Sequence, residues 1–208
     1  MLELLEVHDL NNNLIGIKDR KEFYEEVHKE YAATGKISHK VKSVRVLVMS
    51  SEGRIYLQKR STTKVDNAGL YDKTVGGHIS QGESPTIAVI RECAEELGFP
   101  AVVLSPEEFE TSIHSTDLSV IGILRQMEED RNFLSVRKTK QGDFIQPFIS
   151  YFYIGYYDGS IKFKDGESSG IETFSIKELE NELTDNANKF TQDIHFMIDR
   201  FKNHLRPL

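Results

Sequence analysis

The sequence predicts a mixed α/β fold in which a central mixed sheet lies between helices, an α/β/α sandwich. Short runs rich in β-branched and aromatic residues alternate with longer segments of helical period. With 208 residues and 38% hydrophobic content, the chain can bury one good core. The expected organisation is a single compact unit in which residues 1–36 form an N-terminal hairpin and helix extension and residues 37–208 the main domain. There is no internal repeat, low-complexity tract or proline-rich linker.

In chain order, residues 4–7 and 14–17 flank Asp9 and the asparagines Asn11 to Asn13, the pattern of a short hairpin. Residues 23–31 form a helix. Residues 41–49 and 54–59 are two strands joined by a turn at 50–53 and belong to the central sheet. Further on, residues 101–104 predict a strand, 106–109 a short helical turn, and 119–126 and 148–157 two more strands. The charged stretch 128–142 has weak periodicity and reads as a long hairpin tip or mobile loop. Its basic cluster Arg137, Lys138 and Lys140 is expected as a solvated tip, with substrate contact as the alternative. A last strand at 171–174 precedes helices at 176–183 and 190–205. In the second of these, Phe190, Ile194, Met197, Ile198 and Phe201 recur at helical spacing, which marks a core or dimer face.

Residues 77–99 carry the most chemistry. They fix the spacing Gly-x5-Glu-x7-Arg-Glu-x2-Glu-Glu-x-Gly and set four carboxylates, Glu83, Glu92, Glu95 and Glu96, in one loop and the helix after it. At roughly 7% per residue type, seven fixed positions match by accident on the order of 10⁻⁸ per register. Ser84 is placed to cap the helix and Pro85 to occupy its first position, where a missing N–H costs nothing. Ile87, Ile90, Cys93, Ala94 and Leu97 then form an apolar stripe, the glutamates cluster on the opposite side, and Gly98 closes the helix in a left-handed cap. Like charges at i, i+3 and i+4 near a helix C-terminus oppose one another. Arg91 pairs with Glu95 but cannot neutralise three acids, so a hard divalent cation is the expected partner: Mg²⁺, with Mn²⁺ as the alternative. Gly76 and Gly77 just upstream allow close backbone approach, a carbonyl for the metal and a loop against a diphosphate.

Composition narrows the partners. A formal net charge of −7 argues against nucleic acid or an anionic membrane as ligand, so an anionic small molecule must be drawn in by the metal and local cations. The single cysteine gives no disulfide framework and suits a reducing cytoplasm. The start, Met1-Leu2-Glu3-Leu4-Leu5-Glu6, lacks a basic n-region and no apolar run approaches a membrane span, which predicts a soluble cytoplasmic protein.

With these residues in view, the segment 77–99 resembles the Nudix box and fills each of its fixed positions. The resemblance implies Mg²⁺-dependent hydrolysis of a nucleoside diphosphate linked to another moiety. It also supports the α/β/α sandwich more strongly than periodicity does. Carried over by position, Glu92, Glu95 and Glu96 match metal ligands, Gly76 the residue lending a carbonyl, and Arg91 with Glu83 the residues that orient the site; Glu83 is also counted among the metal-side carboxylates. A narrower resemblance runs through Glu6-Val7-His8-Asp9, His39, residues 55–60 and residues 69–72 and is similar to the isopentenyl-diphosphate isomerase branch. It implies Lys59, Arg60, Gly77 and His78 as substrate contacts, and it matches His39 and His78 to metal-binding histidines. A strand-start role for His39 and a loop role for His78 are the preferred readings. That isomerase needs a cysteine just before Gly77-His78, where this chain has Gly76. Cys93 lies on the apolar stripe and is expected in the core.

The expected reaction is attack of water on phosphorus of a diphosphate, with Mg²⁺ polarising phosphoryl oxygens. Glu95 is the preferred general base and Glu167, five residues before Glu172, the late-loop candidate. An isomerase of prenyl diphosphates and a non-catalytic nucleotide-binding domain are the alternatives. The expected partner is the small-molecule diphosphate, and a homodimer is left open. His8, His28, His114, His195 and His204 show no ligand spacing and receive no role.

Overall fold

The computed structural model describes residues 3–162 and 168–208. In chain order the elements are β1 (Leu4–Asp9), β2 (Leu14–Asp19), α1 (Arg20–Thr34), β3 (His39–Met49), β4 (Ile55–Arg60), β5 (Tyr71–Asp72), β6 (Val75–His78), α2 (Pro85–Glu92), β7 (Ala101–Val103), α3 (Pro106–Ser112), β8 (Gly122–Arg137), β9 (Phe144–Tyr156), β10 (Ser168–Phe174), α4 (Ile176–Asp185) and α5 (Gln192–Phe201).

Among the described residues these strands join in one mixed sheet with the main path β10-β4-β3-β9-β8-β7. Strand β3 is its centre: it runs parallel to β9 and antiparallel to β4 and β6. Side chains alternate across a strand, and here both faces are apolar. Val44, Val46 and Val48 enter a core with Ala88, Val89 and Leu97 of the α2 segment, while Val41, Leu47 and Met49 enter the opposite core with residues of α1, α3, α4 and α5. A sheet buried on both faces between helices is the predicted sandwich. The N-terminal hairpin belongs to it, since β1 pairs with β3 from Val7↔Val41 to Asp9↔His39, and Leu5, Val7, Phe23 and Val27 are at most 2% exposed. Edge strand β2 pairs with β1. No helix among the described residues is long and apolar enough to cross a membrane.

Two expectations are corrected. Of the two readings of residues 128–142 the long hairpin holds and the mobile loop does not, but strand extends further than expected: β8 and β9 pair from Ile123↔Tyr156 to Arg137↔Phe144 and leave only residues 138–143 as the turn. Register shifts at Gln126/Glu128 and Asp130/Phe133 insert extra residues, and such bulges break the period-two pattern that would have shown the strand. The helix carrying the glutamates is also turned from the expected stripe. Ser84 caps it, accepting the Ile87 N–H at 3.2 Å, and Pro85 opens it. Yet Ile87 is 57% exposed and Ala94 is exposed, while Ala88, Val89, Cys93 and Leu97 are buried with Glu92 and Glu96 beside them. The last turn, Cys93–Leu97, is a π turn ended by Gly98 at φ 74°. Turning the helix brings Glu92 and Glu96 toward β6. The stripe on α5 is core: Phe190, Ile194, Met197, Ile198 and Phe201 are all at most 3% exposed.

Candidate active site

A cavity of about 480 Å³ opens where the α2 glutamates face β6, β3 and α1. Its anionic side is lined by Glu92, Glu95 and Glu96, beside Gly76, Gly77 and His78. Arg91 organises that side. It clamps Glu83 with Nε at 2.9 Å and Nη2 at 3.0 Å, donates to Glu92 at 2.8 Å and Glu95 at 3.0 Å, and ties the helix to the loop through the His78 carbonyl at 3.0 Å. The Glu83 carboxylate holds the guanidinium pKa above its ordinary value, aided by Glu92 and Glu95 against the effect of burial. Glu83 has both oxygens engaged by Arg91 and also receives the Ser80 N–H at 3.0 Å, so it stands behind the arginine and outside the cavity lining.

Glu92 is 8% exposed, and its carboxylate lies over Gly77, where an added Cβ would stand 1.9 Å from Oε1. A side chain there would evict the carboxylate. Burial raises the Glu92 pKa to about 7, with Arg91 pulling it down and Glu95 pushing it up. Glu96, also 8% exposed, receives the Gly76 N–H at 3.4 Å. Glu95 is exposed at the rim. No three imidazole, thiolate or carboxylate side chains among the described residues already form a metal cage, and Glu83, Glu92 and Glu95 are turned to Arg91. The donors nonetheless fit Mg²⁺ or Mn²⁺: all are hard oxygens on one wall, and the raised Glu92 pKa marks a buried carboxylate with too little positive charge near it.

The same cavity has a cationic lining, of which sequence reasoning named Arg60 and, as an alternative, Arg137, but missed Arg45 and Lys73. Arg45, Lys73 and Arg137 line the cavity with Arg60. Arg45 projects from β3 between the rings of Phe133 (4.5 Å) and Phe148 (4.7 Å) and donates to Asp193 of α5 at 3.0 Å and Ser150 at 2.6 Å. Arg137, expected at a solvated tip, ends β8 at the cavity, paired with Asp66 at 2.9 Å and over Phe148 at 5.2 Å. Arg60 is held by Asp66 at 3.3 Å and Asp72 at 3.4 Å. Lys59, the other expected contact on β4, points to the opposite face of the strand, with its ammonium 5.2 Å from the Tyr71 ring centre and outside this cavity; adjacent strand residues cannot share a face.

Helix α1 closes a third side with Tyr24 and His28, although His28 had been given no role. Tyr24 OH and His78 Nε2 are 2.7 Å apart, and His28 meets Phe144 edge to face at 5.7 Å. Burial, with Arg20, Arg137, Arg45 and Lys73 nearby, holds the His78 pKa well below the ordinary value. The imidazole is neutral at pH 7. His39 lies apart at the start of β3, 3.5 Å from Glu30, and does not line the cavity. Glu167 lies outside the described residues. For Arg45 the signal in the sequence was a lone arginine in the apolar run Val44-Arg45-Val46.

Fold and site together define a class. The sequence profile described as NUDIX domain matches residues 39–194, and the chain belongs to the Nudix family. It is 24% identical over 193 residues, 92% of this chain and 87% of the relative, to an isopentenyl-diphosphate Δ-isomerase of Serratia proteamaculans. It is 32% identical over 90 residues, 43% of this chain and 46% of the relative, to a prenyl-diphosphate phosphatase of Methanosarcina mazei. Among solved structures, a Deinococcus radiodurans protein shares the fold with a TM-score of 0.61 and 17% identity, over 95% of this chain and 98% of that one.

Proposed function

We propose that the protein is a Mg²⁺-dependent hydrolase that cleaves the diphosphate linkage of a nucleoside-diphosphate-type substrate by attack of water at phosphorus. The observation that carries this reading is one cavity lined both by Glu92, Glu95 and Glu96 and by Arg45, Lys73 and Arg137. Such a site can grip a polyanion from the cationic side and present a metal from the other. Glu92, Glu95 and Glu96 would hold the ion, together with the Gly76 carbonyl. When bound, Mg²⁺ polarises phosphoryl oxygens and lowers the pKa of an attacking water. Arg91 and Glu83 keep the glutamates in place, the cationic wall orients the diphosphate, and Glu95 takes the proton from water. Tyr24, His28 and Phe144 offer an aromatic wall for the remainder of the substrate.

A phosphatase-coupled phosphate-release screen with and without Mg²⁺, in which added alkaline phosphatase frees phosphate from the two phosphomonoester products of diphosphate cleavage and controls lack the protein, tests the reading over nucleoside diphosphate sugars, dinucleoside polyphosphates, coenzyme A, NAD and prenyl diphosphates. Glu96→Gln keeps volume and removes charge, so turnover in the best case should fall by orders of magnitude with the fold retained. Near-normal turnover in that variant would exclude the proposed site.

The isomerase reading is favoured by one observation, the similarity to the Serratia isomerase across most of the chain. Against it, Gly76 offers no thiol, and Cys93, the single cysteine of the sequence, is fully buried. Isopentenyl diphosphate incubated with the protein and Mg²⁺ should yield no dimethylallyl diphosphate; formation of that product would reinstate the isomerase.

A further inference from the structure

Glycine at position 76 is not demanded by its backbone, because its φ lies outside the left-handed region. It is demanded by a neighbour. A Cβ built on Gly76 would stand 2.1 Å from Cε of Lys73, 3.1 Å from Cδ and 3.2 Å from Nζ. The lysine side chain therefore crosses the bare face of Gly76. Its ammonium is held by both oxygens of Asp72 at 3.2 Å and by Asp193 Oδ2 at 3.3 Å. Asp193 is in turn fixed by Arg45 Nε at 3.0 Å and Ser135 Oγ at 2.7 Å, and Asp72 by Thr191 Oγ1 at 2.8 Å. Lys73 is only 8% exposed, and it lines the cavity beside Gly76 and Glu96.

We propose that Lys73 is a substrate-contacting residue of this site: its ammonium, carried across Gly76, shares one N–H between the two Asp72 oxygens, gives a second to Asp193 and donates the third to a phosphoryl oxygen of the bound diphosphate. Asp193 is the positioning residue that brings α5 into the site. The inference rests on the diphosphate reading above and deepens it. The bare face of Gly76 thus gives room to a lysine chain, so the position serves phosphate charge.

A double-mutant cycle tests the arrangement. Lys73→Ala, Gly76→Ala and the double variant are compared by kcat and KM for phosphate release and by calorimetric titration with inorganic pyrophosphate in the absence of metal. Gly76→Ala displaces only the far end of a flexible chain, so the fold should survive, as circular dichroism will show. Losing a charge-assisted hydrogen bond should cost each single variant about 10- to 100-fold in kcat/KM and weaken pyrophosphate binding. In the Lys73→Ala background, Gly76→Ala should cost less than about 3-fold, because residues acting as a unit are not additive. Equal effects of Gly76→Ala in both backgrounds, or wild-type pyrophosphate affinity in a folded Lys73→Ala, overturns the proposal. If Lys73→Ala does not fold, Gly76→Ala alone decides: unchanged pyrophosphate affinity sinks the idea. Should the wild type release phosphate from no substrate, the hydrolase reading fails, while the pyrophosphate titration still judges Lys73.

Discussion

Glu92 and Cys93 are chain neighbours with opposite fates. The glutamate turns to the cavity, whereas the thiol is 0% exposed and burial, with Glu96 and Glu92 close by, pushes its pKa far above the ordinary range. A thiol so placed is neither ionised nor reachable. Cys93→Ala should leave phosphate release within about 2-fold of wild type and cost about 1 kcal/mol of stability through the small void it opens, measured by parallel assays of release and thermal melting. Loss of activity beyond that of packing would place the thiol in the chemistry. The clustering of the glutamates around Arg91 was legible in the sequence because their positions are set within one loop and one helix. Arg45, Lys73 and His28 were not, since their place in the site depends on β3, β5, β6 and α1 meeting in space. Lys59 shows the same limit: the motif pointed to the pair Lys59-Arg60, but strand geometry lets only Arg60 reach the cavity.

At the scale of elements, α5 does two jobs. Its apolar residues fill the core, and Asp193 near its start anchors Arg45 and Lys73. Burial works against the Asp193 charge, but Arg45, Lys73 and Arg137 outweigh it and hold the carboxyl far below the usual carboxylate range. A depressed folded-state pKa stabilises the protein above the unfolded value, about 3.9, and that contribution fades as pH falls below it. The wild-type Tm should therefore begin to drop at about pH 4 and fall steeply below it. Asp193→Asn should melt lower at pH 7, by leaving buried cations under-compensated, and lose less on acidification; Asp72, likewise depressed, retains part of the slope. Parallel slopes in the two proteins would contradict this assignment. The β8–β9 hairpin was the element least legible in the sequence. Its bulges hide the alternation, yet its length delivers Arg137 to the cavity.

For the whole molecule, the sandwich was legible chiefly through the resemblance carried by residues 77–99, with the apolar runs of the central strands β3 and β9 in support. The N-terminal segment was expected as an extension of the domain, and we propose that residues 1–36 and 37–208 fold as one cooperative unit. A chain beginning at residue 37 would lose the β1 pairing with β3 and the buried side chains of Leu5, Val7, Phe23 and Val27. It should show no cooperative melting transition by circular dichroism; a Tm within a few degrees of the full chain would refute the single unit. The cationic wall has one more consequence. Its charges are recessed and bound to internal carboxylates, while the protein as a whole carries a formal −7. An approaching polyanion thus meets a repulsive far field before it reaches attraction at short range. Raising ionic strength from 0.01 M to 0.15 M shrinks the reach of that field from about 30 Å to about 8 Å and leaves the recessed pairs nearly untouched. Substrate capture, measured as kcat/KM, should hold or increase with added salt, the reverse of an enzyme that steers its ligand across a basic surface.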